Sequence, residues 1–133
     1  MKNTPVTSAS SAEKILRPCV QGLDHEECWA IFLSCGNTVL KTEMLTKGTL
    51  TSTAIDSRTV LRHALLCNAH SIILMHNHLS GSPLPSHEDI RFTDQLRKAC
   101  SIMDLNLIDH IIIAEDSFFS FEEERTYGIP QSH

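Results

Sequence analysis

One short apolar segment restricts the folds open to this chain more than any other feature. Residues 71–75 read Ser-Ile-Ile-Leu-Met, a continuous apolar run with the length of a β-strand. A strand without polar alternation is typical of the interior of a sheet that is covered on both faces. The segment therefore predicts a central strand that is buried on both faces.

Helical and strand-like segments alternate around this run. The spacing of apolar residues predicts helices over residues 57–68 and from Ser86 onward. An earlier helix is expected to start at a capping box of Ser10 and Glu13, and to end or be interrupted at Pro18. Strands are predicted at residues 28–33, 38–46, 105–114 and 117–121. The pattern favours an α/β fold with a mixed sheet and helices on its faces.

Length and composition exclude several classes of protein. The chain has 133 residues, enough for one domain, and a net charge of −5 with neutral histidines. That charge argues against a protein whose main role is to coat the phosphates of nucleic acid. Five cysteines without a CxxC pair disfavour a disulfide framework. No apolar stretch suits a membrane span or a secretory signal, so we expect a cytoplasmic protein.

Two histidines directly follow the central strand. If His76 and His78 continue that strand, its period of two places both imidazoles on one face. A catalytic zinc site needs three protein ligands and one open position, and Asp89 in the first turn of the next helix is the natural third ligand. Chance occurrence of H-x-H and a purely structural Ser86-x-x-Asp89 capping box are the plain alternatives.

Metal-assisted hydrolysis also needs a carboxylate that takes and returns protons. Glu26 and Glu27 precede the first predicted strand, and either would serve if that strand lies beside the central one. The plain alternative is that both are solvated charges, which are common just before a strand. The Ser86 hydroxyl could cap its helix and still face the reacting oxygen.

Together these residues form H-x-H, seven residues, S-x-x-D, the signature of JAMM metalloproteases, also called the JAB/MPN family. The chain resembles the RadC branch of that family most closely, from about Leu23 to Glu124. The likeness rests on the segments Lys47–Leu50, Ala64–Ala69, His76–Gly81, Pro85–Asp89 and Leu107–His110. It departs from the branch at Leu79, where the family usually has proline.

The resemblance implies a three-layer α-β-α sandwich with a mixed sheet. It implies one Zn²⁺ per chain held by His76, His78 and Asp89, with Glu27 and Ser86 as catalytic residues. The family's catalytic glutamate maps best onto Glu27, and since one step along a strand reverses the face, Glu26 and Glu27 cannot both face the site. The role of Asp109 and His110 is left open.

Three functions compete on these grounds. The first is a zinc hydrolase that cleaves a peptide or isopeptide bond in a peptide or protein substrate. The second is a DNA repair or recombination accessory or nuclease, which the RadC name suggests. RadC proteins carry an N-terminal helix-hairpin-helix region, which we expect to be absent here. The third is a non-catalytic MPN scaffold.

The domain is expected over residues 11–125, between a flexible arm (1–10) and a loose tail (126–133).

Overall fold

A computed structural model describes residues 4–48 and 55–129 of the chain. In these residues six strands form a mixed sheet in the order β2-β1-β3-β4-β5-β6. The elements are α1 (Ala9–Val20), β1 (Glu27–Leu33), β2 (Val39–Lys47), α2 (Ser57–Leu66), β3 (Ser71–Asn77), α3 (His87–Ile102), β4 (Asn106–Ile113), β5 (Ser117–Ser120) and β6 (Arg125–Gly128). No helix among them has both the length and the apolar character needed to cross a membrane.

The predicted central strand lies inside the sheet, and all seven residues of β3 are buried. It pairs antiparallel with β1 on one side and parallel with β4 on the other, with α3 as the crossover. Only a strand covered on both faces can be apolar throughout. The structure thus confirms the α/β fold with a three-layer arrangement and a mixed sheet.

Apolar side chains fill the space between each face of the sheet and its helices. One core lies against α1 and contains Ala12, Leu16, Val20, Ile31, Leu33, Ile73, Met75, Ile111 and Ile113. The other lies against α2 and α3 and contains Cys28, Ala30, Phe32, Val60, Ala64, Ile72, Leu74, Phe92, Leu96, Cys100 and Leu107. Alternate residues of β1 and β3 therefore face opposite cores, as the pleat requires.

The first helix differs from its prediction. It begins at Ala9, with Ser8 and Ser11 as the capping box in place of Ser10 and Glu13. The chain is already held before the helix, because Val6 is buried and its N–H donates to the Asn37 carbonyl. Glu13 instead pairs with Arg17. Pro18 does not end the helix at its own position: it lies exposed two residues before the last helical residue.

The C-terminal part of the chain also differs from expectation. Residues 125–128 form β6, which pairs antiparallel with β5 and extends the sheet into the predicted tail. Phe118 stacks on Tyr127 across that pair, at 4.9 Å between ring centroids. This contact gives the short strand apolar packing that a loose tail would lack. Residues 1–3 of the predicted arm, residues 49–54 and residues 130–133 of the predicted tail lie outside the described residues.

Candidate metal centre

The end of β3 brings two imidazoles to one face of the sheet. His76 follows Ile72 and Leu74 in the alternation that faces α2 and α3. The His78 N–H donates to the Ile113 carbonyl, so the backbone pairing with β4 continues one residue beyond the end of β3. His78 therefore stays on the side of His76, and their Nε2 atoms lie 3.1 Å apart.

The first turn of α3 supplies a carboxylate to the same point. Ser86 is the N-cap of α3: its hydroxyl oxygen accepts the Asp89 N–H, and the Ser86 N–H donates to Asp89 Oδ2. This reciprocal capping box fixes the start of the helix and the side chain of Asp89 together. Asp89 Oδ1 lies 3.3 Å from His76 Nε2, and Oδ2 lies 3.3 Å from His78 Nε2.

The spacing of these atoms suits a metal ion. Four tetrahedral ligands about 2.0 Å from zinc are separated from one another by roughly 3.3 Å. One ligand atom from each of His76, His78 and Asp89 can be chosen so that all three lie within 4.8 Å of one another. Among the described residues this is the only group of three or more His, Cys, Asp or Glu side chains arranged in this way. The donor set could therefore hold a single metal ion.

The protonation of the three residues follows from burial and mutual contact. Burial lowers the pKa of His76 below its ordinary value, although contact with Asp89 opposes that shift. Burial also lowers the pKa of His78, but hydrogen bonding to Asp89 and to the Ser82 carbonyl raises it above its ordinary value overall. Burial opposes ionisation of Asp89, yet the two histidines hold its pKa well below its usual range.

A second buried histidine lies directly behind the first. His110 Nε2 is 2.9 Å from His76 Nδ1, and His110 Nδ1 is 2.6 Å from Thr93 Oγ1. Thr93 in turn donates to the Asp89 carbonyl at 2.7 Å. The ring of Phe121 stacks on His110 at 4.7 Å between centroids. These contacts join the strand that carries His76 to the helix that carries Asp89.

A β-bulge in β4 explains how His110 reaches this face. Ile72 pairs with Leu107, whereas the next residue, Ile73, pairs with Asp109, so that β4 has one extra residue at Ile108. A bulge of this kind reverses the alternation beyond it. Leu107 and His110 consequently both lie on the α2/α3 side, although they are three residues apart.

Glu27 lies on the other side of the sheet, so the structure does not bring it together with His76, His78 and Asp89, and its catalytic role stays a prediction. Its carboxylate accepts from Trp29 Nε1 at 2.9 Å and lies 2.7 Å from His25 Nε2. Trp29 packs against the α1 core. Burial, and then the charge of Glu27, raises the pKa of the Cys19 thiol in α1, which also places the carboxylate near that helix.

Glu26 is the glutamate that lies on the same side of the sheet as His76, His78 and Asp89. It precedes by two residues Cys28, which pairs with His76 and faces α2 and α3. After burial and the contacts with Asp89, the charge of Glu26 also contributes to the pKa of both His76 and His78 and raises each. The alternation of β1 explains why the two glutamates lie on different faces, because Glu26 and Glu27 have opposite parity.

The structure thus brings together His76, His78 and Asp89, places Ser86 beside Asp89, and leaves Glu27 outside. The sequence did not single out Thr93. Counting from Leu107 with the strict period of a strand would place His110 on the opposite face, because nothing in the sequence of β4 marks the bulge.

A cavity of about 400 Å³ borders His78 where α1 ends, and Val20, Leu23, Leu79 and Ile113 contribute to its apolar lining.

Comparison with known proteins gives a consistent set of relatives. A family model described as a RadC-like JAB domain matches residues 6–126. A UPF0758 protein of Flavobacterium johnsoniae is 37% identical over 124 residues, 93% of this chain and 54% of that protein. UPF0758 proteins of Nitrosospira multiformis and Bordetella avium are 38% and 41% identical, covering 88% and 84% of this chain. The chain spans about half the length of these curated relatives: 52% and 51% for the last two.

Proposed function

The chain belongs to the RadC-like JAB domain family, and from that premise we propose that it is a zinc-dependent hydrolase that cleaves an amide bond in a peptide or protein. The observation that carries the proposal is the convergence of three electron-pair donors at one buried point. Asp89 is 3% exposed and His76 is 3% exposed, so bulk water cannot satisfy these groups.

The hydrogen bonds of His78 show why that point attracts a cation. A carbonyl oxygen can only accept, so the contact between His78 Nδ1 and the Ser82 carbonyl places a proton on Nδ1. In neutral His78 the Nε2 atom then carries a lone pair, 3.3 Å from the Asp89 carboxylate. Two acceptors this close repel each other unless a proton or a metal ion lies between them. A zinc ion would accept a lone pair from His78 Nε2, from the Asp89 carboxylate and from His76.

The residues of the site would divide the work of hydrolysis. His76, His78 and Asp89 would hold the zinc ion, which supplies Lewis acidity and makes water nucleophilic near neutral pH. Glu26, on the same side of the sheet, would take the proton from the attacking water and return it to the leaving amine. The Ser86 hydroxyl accepts the Asp89 N–H and keeps its own proton free to donate to the reacting oxygen.

The charge of the site favours an amide over a phosphodiester. Asp89 and Glu26 add negative charge at the reaction point, and the whole chain carries −5. A phosphodiester would bring further negative charge to this place, whereas an amide is neutral. The apolar part of the cavity beside His78 would accept an uncharged side chain of a peptide. No observation on the described residues favours the nuclease alternative, and the retained ligand set disfavours a non-catalytic scaffold.

The test compares two neighbouring glutamates in the zinc-loaded protein. A library of fluorescence-quenched peptides and a lysine-linked isopeptide serve as probes, with metal-stripped protein and Asp89→Ala as controls. We expect Glu26→Gln to keep its zinc and lose activity by about 10²–10⁴-fold, the usual contribution of a general base. Glu27→Gln, its matched control, should retain activity within a few-fold.

Two results would contradict this assignment. Loss of turnover in Glu27→Gln with full activity in Glu26→Gln would restore the register of the family resemblance. Zinc-loaded wild-type protein that cleaves neither probe faster than its metal-stripped form would contradict amide hydrolysis.

A further inference from the structure

We propose that Thr93 and His110 are positioning residues that fix the tautomer of His76 and thereby present its Nε2 atom to the metal. The inference rests on the metal site of the proposed function and explains how this chain builds it. Neither residue is a ligand, because His110 uses both ring nitrogens on His76 and Thr93.

The position of each proton can be deduced along the chain of contacts. The Asp89 carbonyl cannot donate, so the hydroxyl proton of Thr93 lies toward it. Thr93 Oγ1 is then the acceptor for His110 Nδ1, which must carry a proton. In neutral His110 the Nε2 atom is therefore an acceptor, and the proton in its 2.9 Å contact with His76 lies on His76 Nδ1. His76 Nε2 is left with a lone pair.

Burial makes this chain of hydrogen bonds decisive. His110 is 0% exposed and Thr93 is 2% exposed, so water does not offer either group another partner. Leaving a buried donor unpaired costs roughly 1–3 kcal/mol. The opposite tautomer of His76 would leave two acceptors facing each other at Nδ1 and would put a proton at the metal position.

The surrounding structure holds His110 in place independently of the metal ligands. Phe121 stacks on its ring, and the Phe121 N–H donates to the His110 carbonyl. Asp109 accepts from the Ser120 hydroxyl and the Glu122 N–H, which fixes the turn that carries Phe121. The bulge at Ile108 turns His110 toward His76. Several contacts of the β4–β5 hairpin thus serve one imidazole.

The hydrogen bonds through His110 and Thr93 also connect two of the proposed metal ligands, His76 and Asp89. They begin at the ring of His76 and end at the main chain of Asp89, the residue that supplies the third ligand. Groups that orient a ligating histidine through its second nitrogen commonly contribute 10–100-fold to metal affinity. Removing the Thr93 hydroxyl should therefore loosen the metal site without touching a ligand.

The test uses an isosteric pair of variants. Thr93→Val removes the hydroxyl and keeps the shape, whereas Thr93→Ser keeps the hydroxyl. Zinc affinity is measured by competition with a chromophoric chelator, and folding is checked by circular dichroism and thermal unfolding. We expect Thr93→Val to bind zinc at least tenfold more weakly and Thr93→Ser to bind within about threefold of wild type. His110→Phe, which preserves the stack on Phe121, should also bind more weakly.

A second measurement reads the tautomers directly and does not require metal. Two-dimensional ¹H–¹⁵N correlation of the imidazole rings in metal-free wild-type protein should show protons on Nδ1 of both His76 and His110. Thr93→Val should lose this pattern, and Thr93→Ser should retain it. A proton on His76 Nε2 in wild type, or equal zinc affinity of Thr93→Val and wild type, would overturn the inference. If wild type bound no zinc, the proposed function would fail. The tautomer measurement would still show whether Thr93 and His110 fix the tautomer of His76.

Discussion

Burial and contact with Asp89 together set the protonation of the two imidazoles beside that carboxylate. His76 is held neutral by burial, whereas His78, half-buried and bonded to Asp89 and Ser82, has a pKa above its ordinary value of 6.5. In the metal-free protein His78 is therefore the imidazole that binds a proton as the pH falls. That proton occupies the place of the metal.

This competition predicts how zinc affinity depends on pH. Below the pKa of His78, zinc must displace one proton, so the apparent affinity should fall about tenfold for each pH unit. Above that pKa the dependence should flatten, since no proton remains on His78 to displace. Isothermal titration with zinc from pH 6 to pH 8 measures the slope, and proton release is checked in buffers of different ionisation enthalpy. A constant affinity across this range would contradict the protonation scheme.

Residues joined by short spacing in the sequence are the ones that the sequence predicts well. His76 and His78 lie two apart on a strand, and Ser86 and Asp89 lie three apart at a helix start, so local geometry relates each pair. Glu26 and Glu27 are a single step apart, and only the parity of β1 separates their faces. The contact of His110 with Thr93 depends on two elements and a bulge, which no local pattern encodes.

At the scale of the element, the N-terminus of α3 joins a structural task to a chemical one. The carboxylate of Asp89 accepts the Ser86 N–H as part of a capping box and contacts both histidines. The helix start and the metal site therefore share one side chain. A change in the cap should alter the stability of the helix and the affinity for metal together.

Ser86→Ala tests this coupling. Loss of the cap should lower the free energy of unfolding by about 1 kcal/mol. It should also weaken zinc binding by roughly tenfold, because Asp89 loses the partner that orients its backbone. Ser86→Thr, which can cap a helix, is the matched control and should stay near wild type in both. Chemical denaturation and chelator competition measure the two quantities. A loss of stability with unchanged zinc affinity would show that cap and ligand are independent.

Elements with a strong apolar pattern are predicted nearly to their ends, and weakly patterned ones are not. The predicted helix at Ser57 and the strand at Ser71 begin where the structure has them. The four residues of β6 carry no strand pattern of their own and depend on pairing with β5. The start of α1 is marked by the capping box of Ser8 and Ser11, and the sequence has another serine, Ser10, that fits a cap equally well.

In the molecule as a whole, the candidate metal site lies between the C-terminal end of β3 and the N-terminal end of α3, on one face of the sheet. β3 supplies two ligands from the middle of the sheet, α3 supplies one from the covering layer, and β4 supports them from behind. The apolar run of β3 predicts a strand buried on both faces, and the helical segments on either side of it in the sequence predict that helices cover them. The pairing order of the strands could not be predicted in this way.

A ligand that bridges strand and helix should stabilise the entire domain. If zinc binds the folded site and not the unfolded chain, a free concentration one hundred times its dissociation constant should add about 2.7 kcal/mol to the free energy of unfolding. Urea unfolding with and without zinc measures this difference. Asp89→Ala should show little response to zinc, and an equal response of both proteins would place the bound zinc elsewhere.

His76, His78 and Asp89 are proposed to form one metal centre. Anomalous diffraction at the zinc edge, from crystals of the wild-type protein grown with stoichiometric zinc, locates the bound ion. We predict one strong anomalous peak per chain, about 2.0 Å from Nε2 of both histidines and from a carboxylate oxygen of Asp89. Absence of density between these three side chains, with zinc bound at other residues or not at all, would contradict this metal centre.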